Sequence, residues 1–140
     1  MTELKHKELT EKIIKVFYSV YSQLGYGFAE KVYERAMVIC LEEAGLKVES
    51  QIPIKVHFKG QVIGEYVADV LVENLVILEL KAVSNVIDAH VAQLLNYLRG
   101  SELEVGLLFN FGPKPEFKRL VFDNRRKLLV LDEGARKRNR

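Results

Sequence analysis

Apolar residues at Leu9, Ile13, Val16, Phe17, Val20 and Leu24 recur at the three-and-four spacing of an amphipathic helix, and Gly25-Tyr26-Gly27 ends that run. A second helix is predicted from near Phe28, with an apolar face through Val32, Tyr33, Ala36, Met37, Cys40, Leu41 and Ala44 and a stop at Gly45. The period then changes. Val48, Ile52, Ile54, Val56 and Phe58 fall on even positions between mostly polar residues, which predicts a strand with one wet face up to a Lys59-Gly60 turn. Gln61 to Glu73 continues as a hairpin, and after Asn74 the run Leu75-Val76-Ile77-Leu78-Glu79-Leu80-Lys81 has the aliphatic density of a central strand covered on both faces.

Helical spacing returns from Val86 to Arg99 and closes at Gly100. Glu104 to Phe111 is another buried strand, Gly112-Pro113-Lys114-Pro115 a loop, and Phe117 to Phe122 and Lys127 to Leu131 read as edge strands or a strand and a turn. The predicted order is therefore α-α-β-β-β-α-β-β, an α/β sheet with helices packed on it. With 140 residues and 49% hydrophobic content the chain can build one core. A single domain over 1–132 is expected, followed by a charged, frayed tail over 133–140.

Composition narrows the function only by exclusion. No apolar run approaches the roughly 20 residues that span a bilayer, and the first residues carry no signal-peptide core, so the default expectation is a cytoplasmic protein without a membrane partner. Histidines at 6, 57 and 90 with the lone Cys40 give no zinc-ligand spacing, and Cys40 reads as a small buried hydrophobe. Net charge is +2, yet four of the 21 basic residues (Arg136, Lys137, Arg138 and Arg140) lie in the last five positions, leaving 17 basic against 19 acidic groups before them. Attraction for a polyanion must come from that tail or from a local patch.

Candidate chemistry lies where charge interrupts the apolar strands. Alternation puts Glu79 and Lys81 on the face that Ile77 and Leu75 mark as buried, and buried ions are costly unless they pair, bind a metal or line a polar cleft. Asp69, within Val67-Ala68-Asp69-Val70-Leu71, breaks the preceding strand in the same way, and a turn near Asn74 would bring it beside Glu79. Two converging carboxylates suit a hard cation such as Mg²⁺, with Lys81 placed to position or deprotonate the attacking water. The alternative for these three residues is structural: a Glu79–Lys81 ion pair at the sheet edge and Asp69 in a turn. On the 86–99 helix, His90, Gln93 and Tyr97 share a stripe inside the arc of Val86, Ile87, Leu94 and Leu98, where a plain core would be apolar; core Gln and Tyr side chains bonded to backbone are the alternative there. Glu30 sits beside the buried arc of the second helix, at an N-terminus where the helix dipole also favours it.

Gly27-Phe-Ala-Glu30-Lys-Val-Tyr33, then Asp69, Glu79-Leu-Lys81, Gln93-Leu-Leu-Asn-Tyr97 and Val105-Gly-Leu-Leu-Phe-Asn110-Phe111-Gly112 follow in the order of the GxxExxY proteins. The sequence resembles that family, a branch of the PD-(D/E)XK nuclease superfamily, over about residues 8 to 123. The resemblance implies a restriction-endonuclease-like core with a mixed central sheet flanked by helices. It implies Mg²⁺ (or Mn²⁺) held by Asp69, Glu79 and the backbone carbonyl of Leu80, Lys81 orienting the attacking water, and Glu30 as an added acidic site residue. Gln93 and Tyr97 would contact substrate phosphate or brace the site; the Gln-x-x-x-Tyr element also resembles the RecB-type nuclease motif. Ala68 stands where the superfamily's name has proline, a position many members vary.

The function so implied is metal-dependent hydrolysis of phosphodiester bonds, with DNA preferred to RNA as partner. Its rival is a catalytically silent nucleic-acid- or protein-binding scaffold of the same fold; a small-molecule hydrolase ranks last for want of a pocket signature. The basic tail reads as a solubilising terminus or a nucleic-acid arm, and edge strands near the C-terminus leave a homodimer open.

Overall fold

In a computed structural model, described over residues 5–124, the elements are α1 (Lys7–Leu24), α2 (Glu30–Glu43), β1 (Val48–Phe58), β2 (Gln61–Val72), β3 (Val76–Lys81), α3 (Asp88–Arg99), β4 (Val105–Phe111) and β5 (Pro115–Val121). This is the order that the hydrophobic pattern predicts. The strand proposed for Lys127–Leu131 and the tail over 133–140 lie outside the described residues.

The sheet runs β1-β2-β3-β4-β5, antiparallel except for β3 and β4, which are parallel. A parallel pair needs a crossover, and α3 supplies it. Alternation along β3 and β4 sorts the two layers. Val76, Leu78, Leu80, Val105, Leu107, Phe109 and Phe111 face Ile13, Phe17 and Val20 of α1 and Tyr33, Met37 and Leu41 of α2. Ile77 and Leu108 face Leu94 and Leu98 of α3, together with Ile54, Ala68, Leu71 and Phe122. The architecture is a restriction-endonuclease-like α/β core, a mixed sheet with a helix pair on one face and a crossing helix on the other. No helix among the described residues is long and apolar enough to cross a membrane.

Three readings of the pattern need correction. The even-numbered positions of β1 do not share one face: Val48 packs toward α1 and α2, whereas Ile52 and Ile54 pack toward α3, and Phe58 is exposed. The switch falls at Gln51, whose φ of 54° is left-handed, and β2 changes face opposite it, between Val70 on the helix-pair side and Ala68 on the α3 side. A non-glycine residue in that conformation twists the ribbon locally, as bulges do. Second, α3 begins at Asp88, so Ile87 is exposed and Val86 half-buried rather than core. Third, Val32 of α2 and Leu75 before β3 are exposed, and Cys40 is half-buried.

Candidate active site

β2 pairs with β3 at Val72↔Val76, Leu71↔Ile77 and Val70↔Leu78, and there the ladder stops. Beyond it the Leu80 N–H, which would otherwise lack a partner from β2, donates to Asp69 Oδ2 at 2.8 Å. The strands separate just where the chain changes from aliphatic to charged, and one carboxylate side chain replaces a rung of the ladder. On its other edge β3 continues to pair with β4 through Lys81↔Asn110. The end of β3 is thus held on one side and open on the other.

The opening is a cleft of about 300 Å³ lined by Glu30, Lys31 and Glu34 of α2, Gln51 of β1, Asp69 of β2 and Leu80 of β3. Glu34 is nearly buried; Lys31 Nζ lies 3.0 Å from its carboxylate, and the Gln51 side-chain amide donates to it. Burial raises the Asp69 carboxyl above its ordinary range, and Glu34 and Glu30 push in the same direction against the Leu80 N–H and Lys81.

Glu79 does not line this cleft. Its side chain alternates with Ile77 toward the α3 face, where Oε1 is buried with no hydrogen-bond partner. Its carboxyl is pushed up to about 8, by burial first and then by Asp69 and Glu30, while Lys81 and the Asp69 N–H pull the other way. Among the described residues no ion pair joins Glu79 to Lys81, which removes the observation that a purely structural pair would require. Tyr66 and Tyr97 stack beside Glu79, with ring centroids 3.4 Å apart. Both hydroxyls are raised, by burial first and by Glu79 second, and the Tyr66 hydroxyl is buried without a partner.

The expected residues on α3 are therefore only partly where the helical period put them. Tyr97 is half-buried against Tyr66, and Gln93, exposed and one turn earlier, acts against the upward shift of its hydroxyl. His90 Nδ1 instead accepts the Ile87 N–H at 3.3 Å, closing the start of its own helix. Glu30, Asp69, Glu79 and Lys81 come from three elements; Glu30 and Lys81 act on the charge of both Asp69 and Glu79, but only Glu30 and Asp69 line the cleft. Sequence reasoning missed Glu34, Gln51 and Tyr66; the one available signal was that Glu34 lies four residues after Glu30, hence on the same flank of α2.

The remaining motif residues are framework. Tyr33 stacks on Phe111 at 4.2 Å, and its hydroxyl donates to the Gly25 carbonyl at 2.6 Å and accepts the Phe28 N–H at 3.3 Å. Asn110, fully buried, accepts the Val83 N–H at 3.0 Å and donates to the Val83 carbonyl at 2.9 Å. Gly112 passes so close to that loop that a Cβ would sit 1.9 Å from the Val83 oxygen, so no other residue fits. These contacts fix both the loop before Glu30 and the loop after Lys81.

The donor set can be tested for a cation. Among the described residues no three Asp, Glu, His or Cys side chains converge into a ready-made cage. What is present is Asp69, Glu79 and the Leu80 backbone. Mg²⁺ accepts such a set, since it takes one or two carboxylates and keeps water and phosphate oxygens elsewhere. The Glu79 carboxylate, crowded by Asp69 and left without a partner at Oε1, fits a missing cation better than it fits a finished core.

A mixed sheet with one helix pair and one crossing helix, and a charged strand end laid open between them, defines a nuclease-like fold. The model of the PD-(D/E)XK nuclease superfamily matches residues 7–120, and the chain belongs to that superfamily. PD-(D/E)XK nucleases generally use divalent metal ions. No protein of curated function matches the chain significantly by sequence. The fold is similar to the crystal structure of SSO0001, with a TM-score of 0.53 and 15% identity over 96% of this chain and 67% of that one. It is also similar to an alkaline exonuclease (LHK-Exo) from Laribacter hongkongensis, at 0.51 and 12% over 96% and 77%. At these identities the likeness concerns the fold alone.

Proposed function

We propose that this protein is a metal-dependent nuclease of the GxxExxY branch that hydrolyses phosphodiester bonds in nucleic acid, DNA in preference to RNA. The observation that carries the reading is the Glu79 carboxylate, buried, without a partner at Oε1, unpaired with Lys81 and crowded by Asp69. In this reading Asp69, Glu79 and the Leu80 carbonyl hold Mg²⁺ or Mn²⁺, which when bound polarises the phosphate and acidifies water. Lys81 orients the attacking water and stabilises the charge that develops on the phosphate oxygens. Asp69 is fixed for its part by the Leu80 N–H. Glu30 supplies a further carboxylate at the cleft, and the Gln93–Tyr97 pair, stacked on Tyr66, braces Glu79.

The test is incubation of the purified chain with Mg²⁺ or Mn²⁺ and linear, nicked and single-stranded DNA, with RNA in parallel. Equal cleavage by wild type and Lys81→Ala sinks the reading. The second reading, a catalytically silent scaffold, is favoured by the acidic lining of the cleft, whose lysine is already paired to Glu34. Calorimetric titration with Mg²⁺ separates the two: the nuclease reading expects binding that Glu79→Ala abolishes, whereas the scaffold expects none in wild type.

A further inference from the structure

A second cleft, of about 270 Å³, lies between the Tyr26–Phe28 loop and the segments 82–84 and 111–113. Its walls continue the site on both sides in sequence: Ala82 follows Lys81, and Phe28 stands two residues before Glu30. Two aromatic side chains on its rim are left open to solvent, Tyr26 at 63% and Phe28 at 47% exposure. Their loop is nevertheless held firmly. Gly27 takes a φ of 112°, the Tyr33 hydroxyl bonds Gly25 and Phe28, and the Tyr21 hydroxyl donates to the Gly112 carbonyl at 2.7 Å. Asn110 clamps the facing loop at Val83. Lys114, just past Pro113, is exposed and forms no ion pair among the described residues.

Exposed aromatics on a preformed loop, with the exposed Lys114 one residue beyond the cleft wall, match what an unpaired nucleotide requires. The base stacks on a ring face that any base can use, and the lysine meets its phosphate. A base-paired nucleotide inside a duplex presents no such face. We infer that this cleft is a stacking subsite for an unpaired base of the strand whose backbone crosses Lys81, so that the substrate is single-stranded DNA or the frayed end of a duplex. The inference rests on the nuclease reading and names the substrate class for the same site.

The test uses the full chain without divalent metal, so that binding is read apart from cleavage, and a single-stranded DNA oligonucleotide carrying 2-aminopurine. Wild type should quench the fluorophore. Tyr26→Ala should weaken single-strand binding by roughly 5- to 150-fold, the range for one stacked base, while Tyr26→Trp retains it and affinity for the matching blunt duplex stays within about twofold. Because Phe28 touches Tyr33 edge-to-face at 6.0 Å, the solvent-facing Tyr26 is the cleaner position and its unfolding midpoint serves as the folding control. Unchanged single-strand affinity in Tyr26→Ala, or an equal loss on duplex, overturns the subsite. An RNA oligonucleotide bound tenfold more tightly than the DNA overturns the choice of DNA. Failure is separable from that of the nuclease reading: Lys81-dependent cleavage without Tyr26-dependent binding overturns the subsite alone, and the reverse result upholds it.

Discussion

The two halves of β3 are adjacent in one strand and opposite in kind. Val76, Ile77 and Leu78 are fully buried, paired on both edges and apolar on both faces. Glu79, Leu80 and Lys81 keep the β4 edge but lose β2, and two of the three carry charge. The first half is where both neighbours satisfy the backbone, so aliphatic side chains complete it. In the second half a side chain, Asp69, has taken a backbone partner's place, and the opening admits carboxylates and solvent. A site arises here where the sheet stops being a sheet.

The contrast can be broken most sharply at its ends. Lys81→Ala should lower cleavage by about 10²–10³-fold, the effect of removing one group that stabilises transition-state charge, with little change in the urea midpoint. Leu78→Ala should do the reverse, destabilising by about 2–5 kcal/mol as a buried leucine is lost, while the protein that remains folded keeps its turnover per molecule. If both substitutions lowered activity and stability together, the two halves would be one unit.

Glu79 gives a smaller effect with a defined sign. Its folded carboxyl titrates near 8 against an ordinary 4.5, so folding favours the protonated form. The stability this lends the metal-free protein is complete below about pH 4.5 and is lost as pH rises toward 8. Urea midpoints should fall across that window. Glu79→Gln, which cannot ionise, should flatten the slope and gain about 1–3 kcal/mol at pH 8 as the buried charge is removed. A midpoint independent of pH in wild type contradicts this. The smallest effect is expected from Tyr66→Phe, which removes a hydroxyl that has no partner; stability should move by less than about 1 kcal/mol. A larger loss would mean that the hydroxyl is bonded after all.

Much of this was legible in the sequence because strands and helices announce themselves by period. The three charges at Asp69, Glu79 and Lys81 stood out as interruptions of an apolar run, and Glu30, Gln93 and Tyr97 entered through an ordered set of motifs. Gln51 was not legible. A left-handed glutamine carries no mark in the sequence, yet it turns β1 and β2 from one core to the other, and with them Gln51 itself into the cleft and Tyr66 toward Glu79. Glu34 was hidden for a related reason: which flank of α2 faces the sheet's open end depends on how the helices pack. His90 shows the converse, a polar residue inside a predicted apolar stripe that serves its own helix start.

Asn110 carries a consequence for how this chain can vary. Its side-chain amide offers one donor and one acceptor to Val83, the same pair that a peptide group offers, and its nitrogen also reaches Glu116, which accepts the Val86 N–H. In effect the sheet measures out the two residues after Lys81 with a ruler made of side chains. A single inserted residue between Lys81 and Val83 would slide every later group out of register with that ruler. The same insertion after Val86, beyond its last graduation, would meet only the exposed start of a helix.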